Sequence, residues 1–402
     1  MDLDPRDGEI GGQKFPPTQE AKAMLVRASP PPTIAFVLPG LGAGGSEHIV
    51  SLLCNHFAMQ GWHVALIAFE EPGAAPYYRH HADVRIIRLG LKSRRRIAAG
   101  GAVAMLGRLR RLKAAFREVR PDLVVSFLTR TNILSVLAGR ALDIPVVVSE
   151  RNNPALQPVG AVWNRLRRWA YPRSVGLVTM TQGAMDWFTG SMPVKGWVIP
   201  NPVPPAAIDA PARSNGRTIG AVGRLVPQKG FDRLLDAFAR VADRIPEWRL
   251  TIWGEGPDRA ALERQRDRLG LTDRVSLPGV TRQPGEWIAQ SDLFILSSRF
   301  EGWGIVVGEA MGAGLPVISF DCQWGPAEMI EQGESGMLVP NGDTVGLGEA
   351  MVALCTDPPR RAALGVAAKE RMVAQFGHDA VLARWQSVIG DIMEQHRVRA
   401  LS

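Results

Sequence analysis

The sequence predicts an α/β protein: two doubly wound, Rossmann-like domains facing each other across a cleft. Three observations lead there. Strand-like and helix-like segments alternate along most of the chain, the order that lays helices over both faces of a parallel sheet. The alternation stops at the proline-rich run Pro200-Asn-Pro-Val-Pro-Pro205 and the polar run Pro211-Ala-Arg-Ser-Asn-Gly216, then starts again. Finally, 402 residues with 46% hydrophobic content suffice for two domains with a core in each.

The first series of strands is expected at 33–38, 63–69, 84–89, 123–127, 145–149, 176–179 and 197–199. Each is a short apolar run closed by turn residues. The second series is expected at 218–222, 249–253, 275–277, 293–296 and 317–320, with helices between. Residues 1–30 read as a disordered tail, 31–203 and 204–378 as the two domains, and 379–402 as a helix packing back toward the first. The amphipathic stretch 378–395 supports that last assignment.

Composition narrows the function classes. The formal net charge is +8, and it is uneven: residues 1–200 carry 25 Lys and Arg against 14 Asp and Glu, the remainder 22 against 25. Much of the excess lies in Lys92-Ser-Arg-Arg-Arg96 leading to Gly107-Arg-Leu-Arg-Arg-Leu-Lys113, and in Trp163-Asn-Arg-Leu-Arg-Arg-Trp-Ala-Tyr-Pro-Arg173. Leucine and tryptophan among arginines suit a helix resting on an anionic membrane surface; a solvated basic face with the tryptophans in the core is the plainer reading. No nucleic-acid motif accompanies the charge, so no nucleic-acid partner is expected. The apolar stretch 97–107 is too short to span a bilayer, and the start of the chain lacks the order of a secretory signal. Cys54, Cys322 and Cys355 share no metal-like spacing and read as reduced core thiols, which favours the cytoplasm.

The run Gly40-Leu-Gly-Ala-Gly-Gly45 follows a strand and fits G-x-G-x-x-G, with Glu70 after the next strand. Alone, it describes a nicotinamide-dependent dehydrogenase. Pro39 and the following Ser46-Glu-His point instead to a broader loop that caps a helix and cradles a phosphate with backbone amides. In the second half, Val222-Gly-Arg-Leu-Val-Pro-Gln-Lys-Gly230 puts Arg224 and Lys229 on one loop at a strand's end, where two cations can grip a diphosphate and neutralise the charge of a leaving nucleoside diphosphate. The only D-x-D, Asp2-Leu-Asp4, lies in the expected tail, so no metal is expected to bridge that diphosphate. Further on, Glu301 and Glu309 stand eight positions apart in RFEGWGIVVGEAMGAGLPVI. If Glu301 marks a helix mouth and Glu309 lies inside the helix, about 12 Å of axial rise separates them, comparable to the span of a nucleotide sugar. One carboxylate can then hold a sugar and the other a ribose; two solvated helix glutamates is the competing reading.

The order GRL..QKG, Trp253-Gly-Glu-Gly-Pro257, Leu277-Pro-Gly-Val280, Glu301-Gly-Trp-Gly-Ile305 through Glu309-Ala-Met-Gly-Ala-Gly-Leu-Pro316, and Gly336-Met-Leu-Val-Pro340 closely resembles the retaining glycosyltransferases of family four, which have the two-domain GT-B fold. The resemblance covers most of 33–390. It implies that Arg224, Lys229 and Glu301 form the catalytic group, with Glu309 on the donor ribose. Gly223, Gly254 and Val280 would lie near the donor nucleoside diphosphate, and the backbone of Trp303, Gly304, Ile305 and Val306 near the transferred sugar and phosphate.

The N-terminal segments Gly44-Gly-Ser-Glu47, Ser126-Phe-Leu-Thr-Arg-Thr-Asn132 and Ser149-Glu-Arg-Asn152 resemble members that extend lipid-diphosphate-linked oligosaccharides with N-acetylhexosamines or related sugars from a UDP donor. They imply donor contacts at Gly44 and Gly45 and acceptor contacts at Thr129, Arg130 and Asn132. Many relatives carry a histidine near 127–130 that this chain lacks; Thr129 or Asn132 is the candidate to replace it. The expected partners are therefore a nucleotide sugar, a lipid-linked glycan acceptor and the inner membrane face, with no cofactor or metal. A transferase using GDP-mannose or UDP-glucose on another acceptor is the main rival, ahead of a dehydrogenase or a non-catalytic sugar-nucleotide-binding protein.

Overall fold

A computed structural model describes residues 31–90 apart from 43 and 74, residues 101–203, and residues 216–401 apart from 282 and 284. The expected tail, the basic run 92–96 and the linker 204–215 lie outside the described residues.

Among these residues the first sheet has seven strands: β1 (Thr33–Leu38), β2 (His63–Ala68), β3 (Val84–Arg88), β4 (Leu123–Phe127), β5 (Val146–Ser149), β6 (Gly176–Thr179) and β7 (Gly196–Val198). All pair in parallel, in the order β3-β2-β1-β4-β5-β6-β7. The central strands are buried on both faces, which is why β1, β4 and β5 read as unbroken apolar runs rather than alternating ones. Helices α1 (Gly45–Met59), α2 (Gly101–Val119), α3 (Thr129–Arg140), α4 (Ala161–Ala170) and α5 (Gln182–Thr189) cover the two faces.

The second sheet repeats the plan with β8 (Thr218–Val222), β9 (Arg249–Trp253), β10 (Val275–Gly279), β11 (Leu293–Leu296), β12 (Val317–Asp321) and β13 (Met337–Pro340), in the order β10-β9-β8-β11-β12-β13. Its helices are α6 (Phe231–Ala239), α7 (Arg259–Arg268), α8 (Glu286–Ala289), α9 (Ile305–Gly312), α10 (Pro326–Met329), α11 (Thr344–Thr356) and α12 (Pro358–Phe376). The sequence reading missed β13. It is a four-residue, partly exposed edge strand in which only three apolar residues, Met337-Leu-Val339, precede the proline, too short a run to mark a strand by itself. Cys54, Cys322 and Cys355 are free and buried.

The last helix, α13 (His378–Leu401), crosses back. Val381, Trp385, Val388, Ile389 and Ile392 form its buried stripe and join the core of the first domain, with Trp385 fully enclosed 6.0 Å from the Phe127 ring. The segment leaving β7 runs beside this return, where Val203 N donates to Phe376 O at 2.8 Å.

In each sheet the winding reverses between two central strands, β1 and β4 in the first, β8 and β11 in the second. Ligands bind beyond the carboxyl ends of strands at such a reversal. The loops at those ends are 39–44 and the turn at Leu128 in the first domain, and 223–230 and 297–304 in the second.

Candidate active site between the domains

The two second-domain loops are stitched into one surface. Gly230 adopts a left-handed conformation, φ 65°, and a Cβ there would lie 2.1 Å from the Ser297 carbonyl oxygen, so only glycine permits the approach. Ser297 Oγ donates to the Lys229 carbonyl at 2.9 Å, the Arg299 amide to the Gln228 carbonyl at 2.8 Å, and Gln228 Nε2 to the Phe300 carbonyl at 3.1 Å. Arg299 also grips both carboxylate oxygens of Asp232, at 2.8 and 2.6 Å, and its hydrogen bonds hold the Asp232 pKa below the ordinary value.

This stitching brings together residues 72 positions apart: Lys229 Nζ lies 2.6 Å from Glu301 Oε1, which also accepts from Ser298 Oγ at 2.6 Å. Glu301 is only 6% exposed, so loss of Lys229 would leave a buried carboxylate without its counter-charge. Arg224 is exposed, with no side-chain partner among the described residues, and stands on the same loop as a free cation.

Helix α9 opens at Gly304, with φ 82°, so Glu301 lies in the loop ahead of it and not on its first turn. The expected axial rise of about 12 Å between Glu301 and Glu309 therefore does not apply: only the stretch from Ile305 on is helical. Glu309 sits in the second turn, its carboxyl desolvated by burial and its pKa pushed up to about 7. Trp303 lies on the same loop, ahead of α9. Its side chain is core, 5.3 Å from the Phe376 ring, which leaves only its backbone at the cleft. Ile305 is exposed and Val306 half-buried at the helix start.

At the other end of the surface Gly254 has φ 144°, and a Cβ would lie 1.8 Å from the Gly223 carbonyl oxygen, so position 254 admits no side chain. The Gly223 amide donates to Trp253 O and the Gly254 amide to Gly279 O, at 3.0 and 2.8 Å, aligning the ends of β8, β9 and β10. Arg259, which the sequence reading missed, braces this corner through Glu255, the Leu277 carbonyl and the Gly254 carbonyl. Val280 lies just beyond, 70% exposed.

The first-domain wall is built mainly from backbone. Gly44 caps α1 without a side-chain bond, and Gly45 faces the other domain: a Cβ on it would come within 2.8 Å of Ile305 Cδ1. Glu70 does not wait for a ribose. Its Oε2 accepts from the Leu41 amide at 2.9 Å and its Oε1 pairs with Arg88 Nε at 3.0 Å, so it shapes the glycine loop and the dinucleotide reading fails there. Tyr78 and His48, also missed, stack with ring centroids 5.0 Å apart. Burial raises the Tyr78 pKa, with smaller contributions from Tyr77, Glu47 and Glu309.

The acceptor residues divide. Arg130 is exposed, its guanidinium 5.2 Å over the Trp163 ring. Thr129 and Asn132 are buried instead. Asn132 Nδ2 donates to the Ser149 carbonyl at 2.9 Å and meets Tyr171 Oη at 3.1 Å, while Thr129 and Tyr171 hydrogen-bond Glu150. In this arrangement both support the wall from behind and neither presents a side chain to an acceptor. Arg167 is likewise buried, over Trp187 and Phe188, and leaves the basic surface expected for it. Leu128, just before Thr129, holds φ 72° without being glycine, a strained turn at the domain's reversal point.

Contacts across the cleft seat one domain on the other. Asn153 Nδ2 donates to the Glu301 carbonyl at 3.3 Å, and the Gln182 amide at the start of α5 donates to Glu328 Oε1 at 2.7 Å. A cleft with two cations and two carboxylates on one wall and a helix N-terminus on the other has the chemistry of a sugar-nucleotide site.

Comparison with known proteins agrees. Residues 216–357 match the family described as Glycosyl transferases group 1, and residues 44–202 the Glycosyl transferase 4-like domain. An exopolysaccharide phosphotransferase of Streptomyces coelicolor is 30% identical over 71% of this chain, a match spanning 30% of that protein's length. The lipopolysaccharide core biosynthesis glycosyltransferase LpsD of Rhizobium meliloti is 28% identical over 67% of this chain and 76% of its own. Among solved structures, HepE of Anabaena in complex with UDP superposes with a TM-score of 0.71 at 19% identity, covering 89% of this chain and all of that one, which establishes the shared GT-B fold. With both halves matched in order across the cleft just described, the chain belongs to the group 1 glycosyl transferases and is a glycosyltransferase.

Proposed function

We propose that this glycosyltransferase moves an N-acetylhexosamine or hexose from a UDP-sugar to a lipid-diphosphate-linked glycan, with retention of configuration, in surface polysaccharide assembly on the cytoplasmic face of the membrane. The observation that carries the reading is the Lys229–Glu301 pair beside the unpartnered Arg224, opposite the backbone amides that open α1. Arg224 and Lys229 would receive the donor diphosphate, each charge-assisted hydrogen bond contributing roughly 1.5–3 kcal/mol. Glu301 would hold the sugar and Glu309 the ribose. The acceptor oxygen bonds to the anomeric carbon on the face from which the diphosphate departs, as the bond to the phosphate oxygen breaks, and the acceptor proton passes to that oxygen. Charge is then managed by fixed cations and amides, and no metal is required.

The lipid acceptor and the membrane contact rest on the outer surface of the first domain. Leu156, Val162 and Trp169 are exposed there, Val162 to 72%, with Arg165 and Arg168 exposed on α4 beside them. Apolar groups among cations favour an anionic lipid surface. Among the described residues no helix is long and apolar enough to cross a membrane.

The test is a panel of nucleotide sugars incubated with the purified protein in EDTA, following nucleoside diphosphate release and thermal protection. One UDP-sugar standing out is the expected result. A response confined to a GDP-sugar overturns the donor assignment, and dependence on added divalent metal overturns the metal-free mechanism.

A further inference from the structure

We infer that Asn153 is a positioning residue for Glu301, coupling the seating of the first domain to the alignment of the carboxylate that faces the donor. The inference rests on the role proposed for Glu301.

Asn153 is fully buried, and its side chain is committed at both ends. Its Oδ1 accepts from the amides of Ala155 and Leu156, each at 3.1 Å, and so closes its own turn. Its Nδ2 crosses the cleft to the Glu301 carbonyl. The second domain ties the loop through 297–300 and the Glu301 carboxylate, but at the Glu301 backbone itself its amide makes only a long bond, 3.4 Å, to the Gln323 carbonyl. Gly302 lies against the same segment: a Cβ there would sit 3.5 Å from the Arg151 carbonyl oxygen and 3.8 Å from the Asn153 amide nitrogen. The bond from Asn153 therefore fixes the peptide whose rotation would swing the Glu301 carboxylate away from Lys229 and Ser298.

The segment that presents Asn153 is itself tied to the crossings between domains. Arg151, two residues earlier, is buried with its guanidinium 5.4 Å over Phe127 and 5.5 Å over Trp385 of α13. Its Nη1 donates to the Ile199 carbonyl and to Asn201 Oδ1, at 3.3 and 3.1 Å, on the segment that leaves β7 toward the second domain. Both crossings thus converge on Arg151, and a change in domain seating reaches Glu301 through Arg151 and Asn153.

Asn153→Asp separates this role from a local one. It keeps the oxygen that closes the turn and replaces the donor with an oxygen that repels the Glu301 carbonyl. Hydrogen exchange on the full-length protein is the readout, because it needs no donor. Exchange of the 299–304 amides should rise about tenfold in Asn153→Asp and in Asn153→Ala, with the strands of the second sheet unchanged. With the sugar nucleotide chosen by the panel, kcat should fall about tenfold while the donor KM stays within about twofold. Unchanged exchange at 299–304, or a rise confined to 153–160, overturns the inference. Absence of any donor turnover in the parent protein counts against the functional reading alone, and the exchange result still decides this one.

Discussion

The two domains wind their sheets around the same reversal and use it differently. In the second, the loops beyond β8 and β11 carry charged side chains cross-linked by Ser297, Gln228 and Arg299, with Lys229 and Glu301 paired at the centre. In the first, the loops beyond β1 and β4 offer backbone amides and a strained turn, backed by the buried Glu150, Tyr171, Thr129 and Asn132. One topology can thus supply a preorganised charged wall for a phosphorylated ligand and a plainer wall for an acceptor. The charge of the chain follows the reverse pattern, since the basic excess sits in the first 200 residues and on exposed helices, away from the loops that carry Arg224, Lys229 and Glu301.

The largest expected effect lies on the charged wall. Arg224→Ala with Lys229→Ala should lower kcat/KM by about 10²–10⁴, from roughly 1.5–3 kcal/mol per lost charge-assisted bond. The singles sharpen the contrast: exposed Arg224→Ala should leave the melting temperature unchanged, while Lys229→Ala strands the buried Glu301 and lowers stability by about 1–3 kcal/mol. Unchanged turnover in the double variant would remove the charged wall from the mechanism.

Next is the join between domains. Trp385→Ala empties a fully buried position in the first core and should cost about 3–5 kcal/mol in denaturant unfolding, although it belongs to the terminal helix. Glu309 provides a pH-dependent comparison. Its folded pKa is raised from 4.5 to about 7 by burial, so the native state binds the extra proton. The stability cost of ionising it grows as pH rises through that window and is absent below it. Glu309→Gln should therefore melt on the order of 5 °C above the parent at pH 8 and level with it at pH 4.5. A constant difference across that range would contradict the sign. The smallest effect belongs to the outer face: Arg165→Glu with Arg168→Glu should weaken sedimentation with anionic vesicles by at least about tenfold, at about 1 kcal/mol per cation, and leave donor hydrolysis alone.

The same division governs what was legible in the sequence. The second domain announced itself because its motifs are side chains and glycines in fixed order: Arg224, Lys229, Glu301, Glu309 and the Gly223–Gly254 approach all lie on local patterns. The first domain's wall depends on groups that converge only in three dimensions. Glu70 satisfied the spacing of a ribose-binding acid, yet the fold spends it on Leu41 and Arg88. Thr129 opens α3 and Asn132 sits one turn in, but their direction is inward, toward Glu150 and Ser149, and polarity alone does not encode direction. Asn153 fell one residue outside the quoted Ser149-Glu-Arg-Asn152 motif, and its partner lies 148 residues away. Strand β13 escaped because its apolar run, Met337-Leu-Val339, is only three residues long and stops at Pro340.

The most direct test of the division between the walls is calorimetric titration of UDP, in EDTA, into the parent protein, Arg224→Ala with Lys229→Ala, and Arg130→Ala. The account predicts binding to the parent and to Arg130→Ala with equal affinity, and a loss of at least about 100-fold in the double variant. Equal binding by all three, or loss in Arg130→Ala alone, would place the nucleoside diphosphate on the wrong wall.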